Sequence, residues 1–247
     1  MILVHALQFI ARNGQLPGES GLPTLVHLTL VTIKIAGLAV LISIVVGLPV
    51  GVILGHLHRG SFVAINLGNL WRSLPSLAVL AIGAAFLGLG LNVVLFALIV
   101  LAVPPIITNA YVAVDEVDRD LVDAARGMGM TERQILLQIE LPLAVPLIMA
   151  GVRTGALFVV STTTIASLAG YSGTLGDIIV NETSYQRSGV LGAAICIAGL
   201  ALTVDALLAG AQWTLTPRAL RRRGDGREAV RSLTALVEEP ATAGKLS

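Results

Sequence analysis

Residues 25–55 read LVHLTLVTIKIAGLAVLISIVVGLPVGVILG, an apolar run whose one charged residue is Lys34. A helix needs about 20 apolar residues to cross a hydrocarbon layer ~30 Å thick, so this run can span a membrane with residues to spare. Pro49 lies near its end, but no turn signal divides the run. We therefore expect one helix that is tilted or extends beyond the bilayer, rather than two spans.

Four further apolar segments are long enough to span a membrane. They are residues 62–87, 92–114, 142–168 and 190–213. The 247-residue chain is 55% hydrophobic and 13% charged, whereas a soluble domain has roughly 25% charged residues. The sequence therefore predicts an all-α polytopic membrane protein with about five transmembrane helices. We expect the transmembrane domain at 21–215, an interfacial segment at 1–20, and a cytoplasmic tail at 216–247.

The N-terminal segment has a polar face. His5, Gln8 and Arg12 recur at helical spacing, which favours a short helix in the membrane interface. A frayed terminus is an equally good interpretation. The segment lacks a basic start and a small-residue cleavage site, so we do not expect a signal peptide.

Basic residues follow the first, third and fifth predicted spans. They are His56, His58 and Arg59, then Arg119, Arg126 and Arg133, then Arg218, Arg221, Arg222 and Arg223. Basic residues near span ends favour the cytoplasmic side. We therefore expect a multi-pass plasma-membrane protein with its N-terminus outside and its C-terminus in the cytoplasm. The same rule accounts for the arginine cluster, so no nucleic-acid partner is expected.

The connecting segment, residues 115–141, joins the third and fourth predicted spans and contains seven acidic residues. Asp118 is a predicted N-cap of a short helix that Gly127 or Gly129 would end. Thr131 and a glutamine three residues later have capping-box spacing, which predicts a second helix. Pro142 would close that helix or start the next span.

Seven residues in and beside the connecting segment match a known pattern. They are Asp123, Ala124, Ala125, Gly129, Ile139, Leu141 and Pro142. The spacing resembles the EAA motif of ABC-importer permeases, with Asp123 where the family usually has glutamate. The resemblance implies a type I ABC importer permease fold, in which this loop forms a coupling helix that docks into a groove on a cytoplasmic ATPase. In that role the two small alanines would admit the helix to a cleft, Gly129 would permit a sharp turn, and the charges of Asp120 and Asp123 would orient the helix.

A second resemblance narrows the family. Residues 127–131, 140–154 and 72–75 are similar to osmoprotectant permeases, which import glycine betaine, carnitine or choline. The stretch GYSGTLGD at 170–177 is a weaker match to the glycine-rich loop of that family. The resemblance implies a small osmoprotectant as the substrate.

The same resemblance implies several partners. Neither Lys34 nor Lys245 lies in a phosphate-binding loop, so the chain is not expected to be an enzyme or to hold a cofactor. ATP and Mg²⁺ would be bound by separate ATPase subunits. A second permease subunit, identical or homologous, an extracytoplasmic substrate-binding protein and membrane lipid are the other expected partners.

Charged residues inside the predicted spans require polar partners or water, since each unpaired charge there costs at least ~2.5 kcal/mol. They are Lys34, Arg72, Arg153 and Asp205. The last three lie at similar depth, which predicts that Asp205 pairs with Arg153 or Arg72. Such a pair would be part of a gate or a static tether, and we favour the tether.

Prolines and glycines also interrupt the apolar runs. Pro75, Pro104, Pro105 and Pro146 are candidate pathway or hinge positions, with simple packing kinks as the alternative. Gly47, Gly51 and Gly55, spaced by four, predict close approach of another helix, within this subunit or across a permease pair.

Three other functions are alternatives to an importer permease. A permease for another solute, such as an amino acid, would share most of these features. An ion-coupled secondary transporter would show internal repeats and more intramembrane carboxylates than Asp205. A membrane enzyme or metal site would need a catalytic or ligand cluster, and the four histidines have no metal-ligand spacing.

Overall fold

The computed structural model describes residues 2–12, 24–58, 60, 62, 66, 75–180 and 182–216. These residues form helices and connecting turns, as the composition predicts. The α-helices are α1 (Ile2–Ala11), α2 (Leu25–His56), α3 (Ser76–Leu87), α4 (Leu91–Asp115), α5 (Arg119–Gly127), α6 (Glu132–Ile135), α7 (Leu141–Thr163), α8 (Gly176–Val180) and α9 (Glu182–Leu215). A π turn, Leu136–Glu140, joins α6 to α7, and a 3₁₀ turn, Ala166–Ala169, follows α7.

Helix α4 lies at the centre of the bundle. Helices α2, α3 and α7 pack against it, and α9 packs against α7 and α1. Small side chains such as Ala97, Ala102 and Ala110 are fully buried along α4, which lets its neighbours approach closely. Helix α9 lies on the outside of the bundle and keeps a largely exposed surface, on which Leu202 and Leu207 are exposed apolar residues.

Four helical segments of the described chain are long and apolar enough to cross a membrane. They are Leu25–His56, Leu91–Asp115, Glu132–Thr163 and Arg187–Leu215. The first is continuous through Pro49, which confirms the prediction of a single long helix. The fourth predicted span ends earlier than expected, at Thr163, and the 3₁₀ turn and α8 follow it.

The second predicted span, 62–87, is wrong as a continuous helix. Pro75 has φ −62° and ψ 130°, which is extended backbone, and α3 begins only at Ser76. The 12 residues of α3 cover about 18 Å at ~1.5 Å per residue, less than a bilayer core. Proline favours this outcome because it supplies no N–H to a preceding carbonyl.

The glycine stripe of α2 faces α4 of the same subunit. A Cβ added at Gly51 would lie 2.6 Å from the carbonyl oxygen of Ile107 and 2.7 Å from the Cβ of Ala110. Gly47 and Gly55 face α4 in the same way. Of the two alternatives that the spacing left open, the structure selects packing within the subunit.

Helix α1 packs against α9 through its apolar face. Ala6 and Phe9 are buried, and the rings of Phe9 and Tyr185 meet edge to face with centroids 6.5 Å apart. His5 and Gln8 are exposed, as expected of a polar face. The helix is therefore part of the folded bundle and not a frayed end.

Candidate functional site: the connecting segment

Helix α5 begins and ends with local capping interactions. The carboxylate of Asp118 accepts a hydrogen bond from the backbone N–H of Asp120, which confirms the predicted N-cap. At the other end Gly129 has φ +83°, a left-handed conformation that glycine adopts without strain. The N–H of Gly129 donates to the carbonyl of Arg126, and that of Met130 donates to the carbonyl of Ala125. These are the two hydrogen bonds of a Schellman motif, so Gly129 reverses the chain after α5.

Helix α6 begins with the predicted capping box. Thr131 Oγ1 accepts from the N–H of Gln134, while Gln134 Oε1 accepts from the N–H of Thr131. The helix then continues through the π turn into α7, so Pro142 lies in the first turn of the fourth span and does not break the chain. At the end of the π turn the N–H of Leu141 donates to Leu136 O, five residues back. The wider turn precedes a proline that has no N–H for a regular helical bond.

One face of α5 is fixed against its own subunit. Val122 and Ala125 are buried together with Val117 and Ile135 in a small apolar core. Ala125 is only 1% exposed, so its side chain faces its own subunit, and its part in ATPase coupling stays a prediction. Its small side chain lets α5 approach α6. The buried face makes the short helix a rigid part of the bundle.

The opposite face of α5 is open. Asp120, Asp123 and Ala124 are exposed, as the docking hypothesis requires. Leu121 and Met128 lie beside them with exposed fractions of 46% and 76%. Neither residue was predicted as part of the docking surface, although the spacing 121, 124, 128 places them on one helical face. An acidic rim around exposed apolar side chains is typical of a surface that binds another protein.

Ion pairs connect α5 to α6. Arg126 donates to Asp123 Oδ1 at 3.0 Å and to the two carboxylate oxygens of Glu132 at 2.9 and 3.2 Å. The hydrogen bonds to Glu132 and its charge raise the pKa of Arg126 above its usual value. These side chains are largely exposed, so the pairs contribute little to stability. They do fix the orientation of Asp123 relative to α6.

Histidines at the end of α2 reach the connecting segment. His56 Nδ1 lies 2.7 Å from an oxygen of Glu140, whose side chain is 2% exposed. His58 Nδ1 lies 2.7 Å from Asp115 Oδ1 at the end of α4. From the sequence, both histidines were expected only as basic residues beside Arg59 at the end of the first span, and neither contact was predicted.

The predicted intramembrane pair is present between α7 and α9. Arg153 Nε and Nη2 each lie 2.8 Å from a carboxylate oxygen of Asp205. Gln212, which the sequence analysis missed, accepts from Arg153 Nη1 at 3.3 Å and donates to the carbonyl of Pro146 at 3.1 Å. The seven-residue spacing of Asp205 and Gln212 places them on one face of α9.

The other intramembrane positions singled out in the sequence have different surroundings or are not described. Arg72, the other predicted partner, lies outside the described residues. Lys34 is exposed on α2. Pro104 and Pro105 are buried inside a continuous α4, and Pro146 lies inside a continuous α7. Their role as hinges or pathway positions stays a prediction.

Comparison with known proteins adds to this geometry. Residues 47–212 match the family model described as the binding-protein-dependent transport system inner membrane component. The chain is 36% identical over 219 residues to the choline transport system permease protein of Bacillus subtilis (strain 168), covering 88% of this chain and 97% of that protein. It is 37% identical over 191 residues to the carnitine transport permease protein of Listeria monocytogenes, covering 77% and 87% of the two chains.

Solved structures give the fold. The chain is similar to a chain of the inward-facing MetNI methionine ABC transporter, with a TM-score of 0.67 at 22% identity, covering 78% of this chain and 96% of that chain. An amino acid ABC transporter solved with histidines gives a TM-score of 0.62 at 20% identity, covering 76% and 92% of the two chains. The type I ABC importer permease fold expected from the motif is confirmed.

Proposed function

Because the chain belongs to the binding-protein-dependent transport system inner membrane components, we propose that it is the permease subunit of an ATP-driven importer of a small osmoprotectant. One structural observation carries the coupling part of this proposal. The connecting segment presents Leu121, Ala124 and Met128 outward on a helix whose other face is buried against α6. A partner that moves this helix would also move the bundle.

The proposed path of force runs along the chain. Pressure on the outer face of α5 passes to α6 through the apolar contact of Ala125 and Ile135. Helix α6 continues through the π turn into α7, which carries Pro146 and Arg153. Closure of two ATPase subunits would thus tilt α7 and change the opening between spans. The pair of Arg153 and Asp205 acts as a tether that keeps α9 with α7 during this movement.

The substrate proposal rests on the relatives. Their names give choline, carnitine or glycine betaine as the transported solute, and they are 35–37% identical to this chain. We therefore propose a quaternary ammonium solute for this chain, delivered by an extracytoplasmic binding protein. A second permease subunit completes the pathway, and ATP and Mg²⁺ are bound by the ATPases. The connecting segment and the C-terminus lie in the cytoplasm, in agreement with the positions of the basic residues.

Reconstituted uptake tests the proposal. The chain is assembled in proteoliposomes with its ATPase, the binding protein is added outside, and labelled choline, carnitine, glycine betaine and amino acids are offered in turn. We expect uptake of at least one solute that requires both ATP inside and binding protein outside. Uptake of an amino acid alone would support the importer class but contradict the proposed osmoprotectant substrate. Ion-driven uptake without the ATPase would contradict the whole proposal.

A further inference from the structure

The last residue of α2 lies between two carboxylates of the connecting segment. His56 Nδ1 is 2.7 Å from the buried Glu140, and His56 Nε2 is 3.8 Å from the exposed Glu132. Glu132 in turn binds Arg126, which also binds Asp123 on the outer face of α5. A row of polar contacts therefore runs from the predicted docking surface to the end of the first span.

The buried carboxylate of Glu140, at the inner end of this row, has the largest cost in free energy. A carboxylate as buried as Glu140 is stable only when hydrogen-bonded or paired. It also lies at the last position of the π turn, where the loop helix becomes the fourth span. If α7 moved without α2, Glu140 would lose the hydrogen bond to His56 while still surrounded by apolar groups. Movement that keeps the two together avoids that cost.

We propose that His56 and Glu140 are positioning residues that make α2 and α7 move as one unit when the connecting segment is displaced. The inference rests on the proposed function, since it assigns the way in which displacement of α5 reaches the first span. Glu140 is not one of the residues of the coupling motif, since it occupies the variable position between Ile139 and Leu141. Helices α2 and α7 pack on each other and on α4, and through this link both spans respond to one docking event.

The second histidine of α2 provides a matched control. His58 also pairs with a carboxylate at 2.7 Å, but that carboxylate is Asp115 at the end of α4 and does not belong to the α5–α6–α7 path. His56→Ala and His58→Ala each remove one imidazole from the same helix end. Glu140→Leu removes the buried charge together with its requirement for a partner, so it tests the link without leaving an unpaired carboxylate.

The measurement is ATP hydrolysed per solute imported by the reconstituted complex. We expect His56→Ala and Glu140→Leu each to raise this ratio about fivefold or more, and the double variant to add little, because the two residues act as a unit. His58→Ala should stay within about twofold of the wild type. A purely structural role would lower hydrolysis and import together and leave the ratio unchanged.

Three outcomes overturn the proposal. An unchanged ratio in His56→Ala is sufficient by itself to contradict the proposal, even if Glu140→Leu fails to assemble. If the ATP hydrolysed per solute rises as much in His58→Ala as in His56→Ala, the effect is a general one of the helix end and not of the contact with Glu140. Absence of ATP-driven import by the wild-type complex contradicts the proposed function, and this inference falls with it.

Discussion

Arg153 and Asp205 meet through two parallel hydrogen bonds of 2.8 Å, and so join α7 to α9 inside the membrane-spanning bundle. About a third of each side chain is exposed in the isolated chain. The planar guanidinium matches the carboxylate at two points, which gives the contact a fixed direction. Because Gln212 also binds Arg153, the contact is a small network and not a single pair.

Exchanging the two charges tests the tether. Arg153→Asp and Asp205→Arg should each lower uptake and the midpoint of thermal unfolding, because each places two like charges together. The double variant should recover part of both, with an interaction energy of about 1–2 kcal/mol. Losses that simply add in the double variant would show that the pair does not hold α9 to α7. Recovery of stability without recovery of uptake would favour the gate over the tether.

Close packing of α2 on α4 predicts a strong effect at Gly51. Its added Cβ would approach the Ile107 carbonyl oxygen to 2.6 Å, so Gly51→Ala must push the two helices apart. We expect a loss of about 1–3 kcal/mol in the free energy of unfolding. Gly37→Ala on the same helix meets nothing within 4 Å and serves as the control. Equal stability of the two variants in detergent would contradict the described packing.

Gly129 requires a left-handed backbone, so its substitution should disturb the turn after α5. A Cβ there would meet nothing within 4 Å, which means that the cost comes from φ +83° and not from crowding. Gly129→Val should therefore insert and assemble, yet raise the ATP hydrolysed per solute, since a β-branched residue strongly disfavours this conformation. Gly127→Ala, also without close neighbours, should keep the normal ratio. Normal uptake in Gly129→Val would place the coupling surface elsewhere.

Local rules allowed the connecting segment to be predicted well. Asp118, Gly129 and the pair of Thr131 and Gln134 act on backbone groups within a few residues, so their spacing alone identifies them. Local spacing did not show which of the alanines of α5 is exposed. Ala124 and Ala125 are identical in the sequence, and only contact with Ile135 decides that the second one is buried.

Long-range contacts account for most of what sequence reasoning missed. His56 and Glu140 are 84 positions apart, and their contact depends on how α2 and α7 pack around α4. Asp205 and its possible partners were predictable because charges in apolar runs are rare and these lie at similar depth, whereas Gln212 carries no charge and was not predicted. Pro75 was recognised as a break in an apolar run, whereas its position before α3 required the backbone itself.

Cross-linking from Met128 tests the central claim most directly. In a Cys196→Ser background, which removes the chain's one native cysteine, Met128→Cys introduces a thiol at a site that is 76% exposed. Leu89→Cys is the control, because Leu89 is 73% exposed and lies just before the start of α4, whose 25 residues cover about 37 Å at ~1.5 Å per residue before the chain reaches α5. The account predicts that a short bifunctional reagent links Met128→Cys to the ATPase in the purified complex and does not link Leu89→Cys. An ATPase that co-purifies with the Met128→Cys variant but never cross-links to it would contradict the assignment of α5 as the coupling helix.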